Sequence, residues 1–296
     1  MNNNSKSNTE KIKFICLPGG GTSSVVFYKW FGKLNEKYRP NFIDLPGRGL
    51  RKNEEPLTNI DDITNDLFNG LKKVVEDERN ENYVLFAYCM GSIFLYELLK
   101  KIEKENFAYP IHIFLVAADV PYGEMYKTTF LDNPATKFQF YDLIRNCFPE
   151  HTFKDTATLK SFRETFVDVL YKKHLNAPNC IDVTFDDLES IIDDKELLSS
   201  FEFKECLKLA NELMKILIID CDICSDYQKK GGLISKIKCS ITGISGDEDI
   251  LYTKDTMKEW ESYTDIGYKH FVVEGGHRIF FDPGDKSLSI LNSEGF

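Results

Sequence analysis

The sequence predicts an α/β protein with a mostly parallel central sheet covered on both faces by helices. Three observations carry this expectation. Short apolar runs bounded by turn residues recur along the chain, as strands do. Segments with apolar residues three or four apart lie between several of these runs. Strands that alternate with helices need crossover connections, and crossovers make neighbouring strands parallel.

The expected strands cover residues 13–17, 41–45, 83–88, 111–117, 237–244 and 269–274. Ile60, Ile63, Leu67, Leu71 and Val74 fall on one helical face, and residues 93–102 form a second helix directly after a turn. The rhythm breaks between about residues 122 and 235, where helical patterns at 138–147, 161–174 and 205–219 are rich in Phe, Tyr, Leu and acids. A helical insertion between sheet strands often serves as a lid. The expected organisation is therefore a frayed polar tail over 1–10 and one domain over 11–296 that carries a lid insertion at about 122–235.

Composition sets bounds. At 296 residues, 42% hydrophobic and 28% charged, the chain can bury a large core without disulfide or metal staples. The polar start Met1-Asn2-Asn3-Asn4 lacks the pattern of a secretory signal, and no apolar run approaches the length of a membrane span; a cytoplasmic location is expected. The eight cysteines then read as thiols, and Cys221-Asp222-Ile223-Cys224 as part of a helix rather than a metal or redox motif. A net charge of −10 argues against nucleic-acid binding. Lys11, Lys13, Arg48, Arg51 and Lys52 could form a local basic patch for an acidic carrier protein, or be ordinary solvated charge.

Four stretches carry chemistry. In Ala87-Tyr88-Cys89-Met90-Gly91 a strand runs through a tight turn into a helix, with small residues at both flanks. A thiol held there is exposed to the N–H groups at the helix start, which favour a thiolate. Leu17-Pro18-Gly19-Gly20-Gly21-Thr22-Ser23-Ser24 has neither the P-loop nor the dinucleotide spacing, but suits anion stabilisation by backbone N–H groups. The N–H groups of Gly20 and Met90 would form an oxyanion hole. In Ser245-Gly246-Asp247-Glu248-Asp249-Ile250 the favoured acid is Asp249, three residues past Gly246 and just before an apolar pair. Glu274-Gly275-Gly276-His277 places a histidine after a glycine hinge, whereas His112 lies within a strand and suits packing. Nucleophile, acid, histidine is the chain order of α/β-hydrolases.

These residues resemble the type II thioesterases that accompany non-ribosomal peptide and polyketide synthases. Pro18-Gly19-Gly20-Gly21-Thr22-Ser23, with Phe27 and Trp30, is similar to the family's Pro-Tyr-Ala-Gly-Gly-Ser stretch. Asp44-Leu45-Pro46-Gly47-Arg48-Gly49 resembles its Leu-Pro-Gly-Arg signature, and Gly275-Gly276-His277 with Phe280 its Gly-Gly-His block. Cys221-Asp222 falls where the family has an Ala-Asp helix. The resemblance runs from about residue 11 to 281 and is weakest through the lid. The family's Gly-His-Ser-Met-Gly is here Ala87-Tyr88-Cys89-Met90-Gly91, and three differences of five read as divergence rather than a single trapping substitution. The family's acid is variably placed, so Asp119 is the alternative to Asp249.

The resemblance implies an α/β-hydrolase fold and a Cys89–His277–Asp249 triad. It implies no cofactor of the protein's own, the substrate being carried on the phosphopantetheine of a carrier-protein partner, with no nucleic acid or membrane partner. Attack by a cysteine on a thioester exchanges one thioester for another, so the acyl group stays activated. Hydrolysis of a carrier-bound acyl group is the leading expectation. Transfer to an amine or hydroxyl, including ring closure, is the second. A non-catalytic binding protein of the same fold is the third, and a cysteine hydrolase of lactones or esters a more distant fourth.

Overall fold

Six strands, all parallel, form the central sheet: β1 (Ile12–Leu17), β2 (Tyr38–Phe42), β3 (Tyr83–Tyr88), β4 (His112–Val116), β5 (Ser240–Gly246) and β6 (Tyr268–Val273), in the spatial order β2-β1-β3-β4-β5-β6. The computed structural model describes the chain except residues 1–10, 77–81, 128–133, 154, 177–181, 190–191, 193, 281–284 and 296. The tail expected over 1–10, Cys180, Phe281 and the side chain of Trp30 therefore lie outside the described residues. The chain divides into one compact unit drawn from Met1–Gly123 and Lys230–Phe296 and a second formed by Glu124–Lys229.

In the first unit the chain passes from β1 outward to β2, then returns across β1 to β3 and builds away in the other direction. The crevice beyond the carboxyl ends of β1 and β3 is the topological switch point, where open α/β sheets bind ligands. The glycine turn after β1 and Cys89 after β3 both lie at this end.

Every residue of β3 and β4 is buried, as central parallel strands covered on both faces require. Phe14, Phe86 and Phe114 stack across the sheet with ring centroids 5.7 Å apart for both Phe14 pairs. Phe280 packs on Phe86 at 5.3 Å. Each such pair adds about 0.5–1.5 kcal/mol beyond area burial, and the last ties the segment after His277 to the sheet.

The helix Ile60–Val75 buries Ile63, Leu67, Phe68 and Leu71, the face expected from the spacing, and Asn59 caps it by accepting the Asp62 N–H at 2.9 Å. The helix Gly91–Lys104 is buried along most of its length. Two strands differ from expectation. β2 starts at Tyr38 rather than 41, through Arg39 and Pro40; it is an edge strand, so the N–H missing at Pro40 leaves no ladder bond unmade. β5 starts at Ser240, because Ile237 makes an isolated bridge to Thr264 outside the sheet.

The second unit is helical: Pro134–Cys147, Thr156–Asn176, Phe185–Glu189, Lys195–Ser199 and most of Phe201–Lys230. Its aromatic residues pack on one another. Phe148, Phe162, Phe166 and Phe203 are fully buried, with Phe148–Phe162 at 4.7 Å and Phe148–Phe203 at 5.3 Å. Those rings build this unit's own core. Cys221 and Cys224 are buried within the helix Phe201–Lys230, which runs well past the 205–219 expected. Among the described residues no disulfide forms, no cluster suits a metal ion, and no helix is long and apolar enough to cross a membrane.

Candidate active site

Cys89 adopts the left-handed conformation, φ 55°, between the end of β3 and the helix Gly91–Lys104. The sequence placed the cause of the tight turn in the flanking small residues; the structure places the strain on the cysteine itself. Among the described residues only Asn106 and Ala117 share this uncommon conformation without being glycine. Gly91 has a different reason to be glycine: a Cβ there would lie 2.5 Å from the Pro18 carbonyl oxygen. A Cβ at Gly19 would likewise meet Tyr88 Cδ1 at 2.9 Å and Cys89 Cβ at 3.1 Å. The turn after β1 thus presses on the cysteine from the other side.

Asp44 secures that turn. Its carboxylate accepts the Ser24 N–H at 2.7 Å, the Ser24 hydroxyl at 2.9 Å and the Leu50 N–H at 3.1 Å. Gly49, φ 55°, passes so close that a Cβ would lie 2.2 Å from Asp44 Oδ2. The Asp44–Gly49 signature is therefore a brace between the loops after β1 and β2. Among the described residues the N–H groups of Gly20 and Met90 meet no acceptor, which leaves them available to an oxyanion.

Two neighbouring strand ends bring the acid to the histidine. Asp247 N–H donates to Val273 O at 2.8 Å, Glu248 N–H to Gly275 O at 2.9 Å, and Gly275 N–H to Asp247 Oδ1 at 2.9 Å. With the loops laced together, Asp249 Oδ2 sits 3.1 Å from His277 Nδ1. Asp249 Oδ1 accepts the N–H groups of Leu251 and Tyr252 at 2.8 and 3.0 Å, so both carboxylate oxygens are engaged. The imidazole is bonded to Asp249 through Nδ1 and to the Cys89 side chain, which leaves Nε2 for the sulfur.

Electrostatics follow from these contacts. Burial pushes the His277 imidazole toward neutrality, but the hydrogen bonds and charges of Asp249 and Cys89 outweigh it and hold its pKa up to about 9. Burial likewise pushes the Asp249 carboxyl up; the His277 partner and the two N–H groups win, and the net direction is down. Histidine and acid are thus held as a charged pair.

Asp119, the alternative acid, turns Oδ1 onto the N–H of Val120 at 2.9 Å, and its backbone carbonyl faces the Ser92 hydroxyl at 2.8 Å. The carboxylate bonded to the imidazole is that of Asp249. His112 lies between Ser240 and Thr242, at 2.7 and 2.9 Å, and burial lowers its pKa to about 4, so it packs as a neutral ring.

Two tyrosines at the site were not anticipated. The Tyr88 hydroxyl donates to the His277 carbonyl at 2.8 Å while its ring stacks 5.1 Å from the imidazole. Tyr252 stacks 5.2 Å from the same imidazole, and its hydroxyl lies 3.3 Å from Cys89 Sγ. Tyr88 stands in the motif beside Cys89, so its identity was a signal; nothing local marks Tyr252 beyond its place three residues after Asp249.

The five cations, left open between a local basic patch and ordinary solvated charge, do not gather on the surface as a patch. Lys13 is fully buried and donates to the Val75 carbonyl at 3.0 Å, at the negative end of the helix Ile60–Val75. Arg48 is buried, and Arg51 is held by Glu54 at 2.7 Å and Asp66 at 2.5 Å. Only Lys11 and Lys52 of the five stand exposed.

Known proteins carry related chains. Gramicidin S biosynthesis protein GrsT of Aneurinibacillus migulanus is 22% identical over 281 residues, 95% of this chain and 88% of that protein. The structure of RedJ, a thioesterase from the prodiginine biosynthetic pathway in Streptomyces coelicolor, superposes with a TM-score of 0.62 at 21% identity, covering 95% of this chain and 89% of that one. The type II thioesterase BorB from the borrelidin biosynthetic cluster superposes at 0.60 with 19% identity, covering 95% and 91%. The fold is shared with these α/β-hydrolase structures, the match to the thioesterase domain family extends over residues 13–291, and the chain belongs to that family.

Proposed function

We propose that this protein is a type II thioesterase that hydrolyses acyl groups from the phosphopantetheine arm of a carrier protein, through an acyl-Cys89 intermediate, in non-ribosomal peptide or polyketide biosynthesis. The reading rests on one observation above the others: Cys89, His277 and Asp249 form a connected chain of hydrogen bonds at the switch point of a thioesterase-family fold. The pathways named for GrsT, RedJ and BorB support the biosynthetic setting.

In this reading the Cys89 thiolate attacks the thioester carbonyl carbon while the N–H groups of Gly20 and Met90 receive the oxyanion. The C–S bond to the pantetheine sulfur breaks, and that sulfur takes the proton of the His277 imidazolium. The imidazole, now neutral, removes a proton from water; the resulting hydroxide adds to the acyl carbon, and Cys89 leaves again as a thiolate. Asp249 keeps Nδ1 protonated and Nε2 directed at the reacting atoms throughout. The protein needs no cofactor for this cycle, since the pantetheine arrives with the carrier.

A second reading is acyl transfer to an amine or hydroxyl. The nature of the nucleophile favours it: an acyl group held as a thioester on sulfur retains the activation that a serine ester loses, and amines attack thioesters readily. Incubation with acylated carrier protein followed by intact-mass measurement tests the intermediate. An acyl adduct that is absent from Cys89→Ala supports the reading, whereas no adduct at any time point leaves a non-catalytic binding protein. Adding a candidate amine separates the two catalytic outcomes by their products.

A further inference from the structure

We infer that Tyr252 is a further catalytic residue, whose phenol donates a hydrogen bond to the Cys89 thiolate and releases it when the sulfur is acylated. The inference rests on the acyl-Cys89 reading given above. Three contacts place this side chain. Its hydroxyl lies 3.3 Å from Cys89 Sγ, its ring stacks 5.2 Å from the His277 imidazole, and its own N–H is bonded to Asp249 Oδ1 at 3.0 Å. One fully buried residue thus touches all three members of the triad.

The direction of the sulfur–oxygen bond follows from charge. In the acyl-Cys89 reading the cysteine reacts as a thiolate, and toward a thiolate the phenol, 3.3 Å away, is the donor and the sulfur the acceptor. A hydrogen bond to a charged acceptor is roughly twice as strong as one between neutral groups. A thioester sulfur is uncharged and a weak acceptor. The phenol therefore stabilises the free thiolate more than the acylated sulfur. In the exchange E–S⁻ + HisH⁺ + RCO–SR′ ⇌ E–S–COR + His + R′SH it pulls the balance toward free enzyme. Tyr252 keeps its proton throughout, and atoms and charge balance without it.

This role suits a hydrolase with a cysteine nucleophile. Sulfur forms an acyl-enzyme nearly equal in energy to the substrate thioester, so the enzyme risks resting as a stable adduct. A donor selective for the thiolate favours its departure. A serine alkoxide leaving group would instead take a proton from the histidine.

The test uses Tyr252→Phe, which keeps the ring over His277 and the backbone N–H on Asp249. Wild type and variant are given an acyl-N-acetylcysteamine together with free N-acetylcysteamine at fixed ratios, and the early acyl-Cys89 fraction is read by intact mass. The expected result is an adduct-to-free-enzyme ratio about tenfold higher in the variant. In parallel, the absorbance of the thiolate near 240 nm at pH 7, taken as the difference from the iodoacetamide-blocked form of the same variant, is expected to fall. Equal adduct ratios and equal thiolate absorbance in the two proteins overturn the role of Tyr252 and leave the acyl-Cys89 mechanism standing. No adduct in either protein overturns the mechanism, and this inference with it.

Discussion

The backbone of Gly275 runs so close to Gly246 that a Cβ at position 246 would lie 2.1 Å from the Gly275 carbonyl oxygen. That approach is what allows the loop after β5 to lace onto the loop after β6 and deliver Asp249 to His277. Gly246→Ala is therefore expected to separate the loops. A displacement of the catalytic groups by about 1 Å costs on the order of 10²-fold in rate, with a destabilisation of about 1–3 kcal/mol from the forced shift. Thermal melting and steady-state rates on a model acyl thioester read both. Unchanged activity would show that the loop contact does not position the histidine.

The two candidate acids separate by mutation. Asp249→Asn removes the charge that holds the imidazole as a cation and exchanges an acceptor for an amide. Deacylation, which needs the imidazole to activate water, should fall by 10²-fold or more, as loss of general-base function does. Acylation, which needs no water to be activated, should fall less. Asp119→Asn leaves the bond to Nδ1 in place, so its loss should be at least about tenfold smaller. Single-turnover acylation and deacylation rates decide, and a larger loss from Asp119→Asn would reassign the acid.

His277 sets a pH dependence. Its value in the folded protein, about 9, lies above the ordinary 6.5. The stabilisation from its partners is thus complete below about pH 6.5 and is lost as pH climbs through about 9, a change on the order of a few kcal/mol. Asp249 works in the opposite sense: its carboxyl is lowered, so its contribution holds above the ordinary carboxylate range and fades as pH falls below it. Part of the rise at His277 comes from Cys89. In Cys89→Ala the alkaline loss of stability should begin at lower pH, as a plot of melting temperature against pH will show. Acylation removes the same charge, so the limb in the deacylation rate should lie below the alkaline limb of acylation. Coincident limbs would mean that the sulfur does not influence the imidazole.

Cys89→Ser asks what sulfur contributes. His277 and Asp249 remain to act as base and orienter, so thioester hydrolysis should persist, with acylation slowed by about 10²-fold because the proton must now be removed in the transition state. The intermediate becomes an oxygen ester, and transfer to added amine should disappear. Product analysis with and without the amine checks this, and equal amide yields from both proteins would remove the argument for transfer.

Much of the fold was legible because it is written in local periodicity. β3 spans the expected residues 83–88, since a fully buried strand is one unbroken apolar run. The helix Ile60–Val75 follows the 3.6-residue spacing and its Asn59 cap. β2 was misplaced because Pro40 ends a strand in general but not at an edge, and being at an edge is a property of the sheet. Lys13 read as surface charge, in a patch or simply solvated, because charge usually means exposure; its strand lies inside the sheet, and its amine is satisfied by a helix end distant in sequence.

By itself the sequence determined the strand–turn–helix at Cys89, the glycine loops at the strand ends, and the chain order cysteine, acid, histidine. Turn chemistry and hydrophobic pattern act over a few residues and are visible there. Only the tertiary structure decided which acid meets the imidazole, which tyrosine reaches the sulfur, and which cations are consumed inside. Those outcomes depend on β3, β5 and β6 ending side by side, and contacts across neighbouring strand ends join residues far apart in the chain.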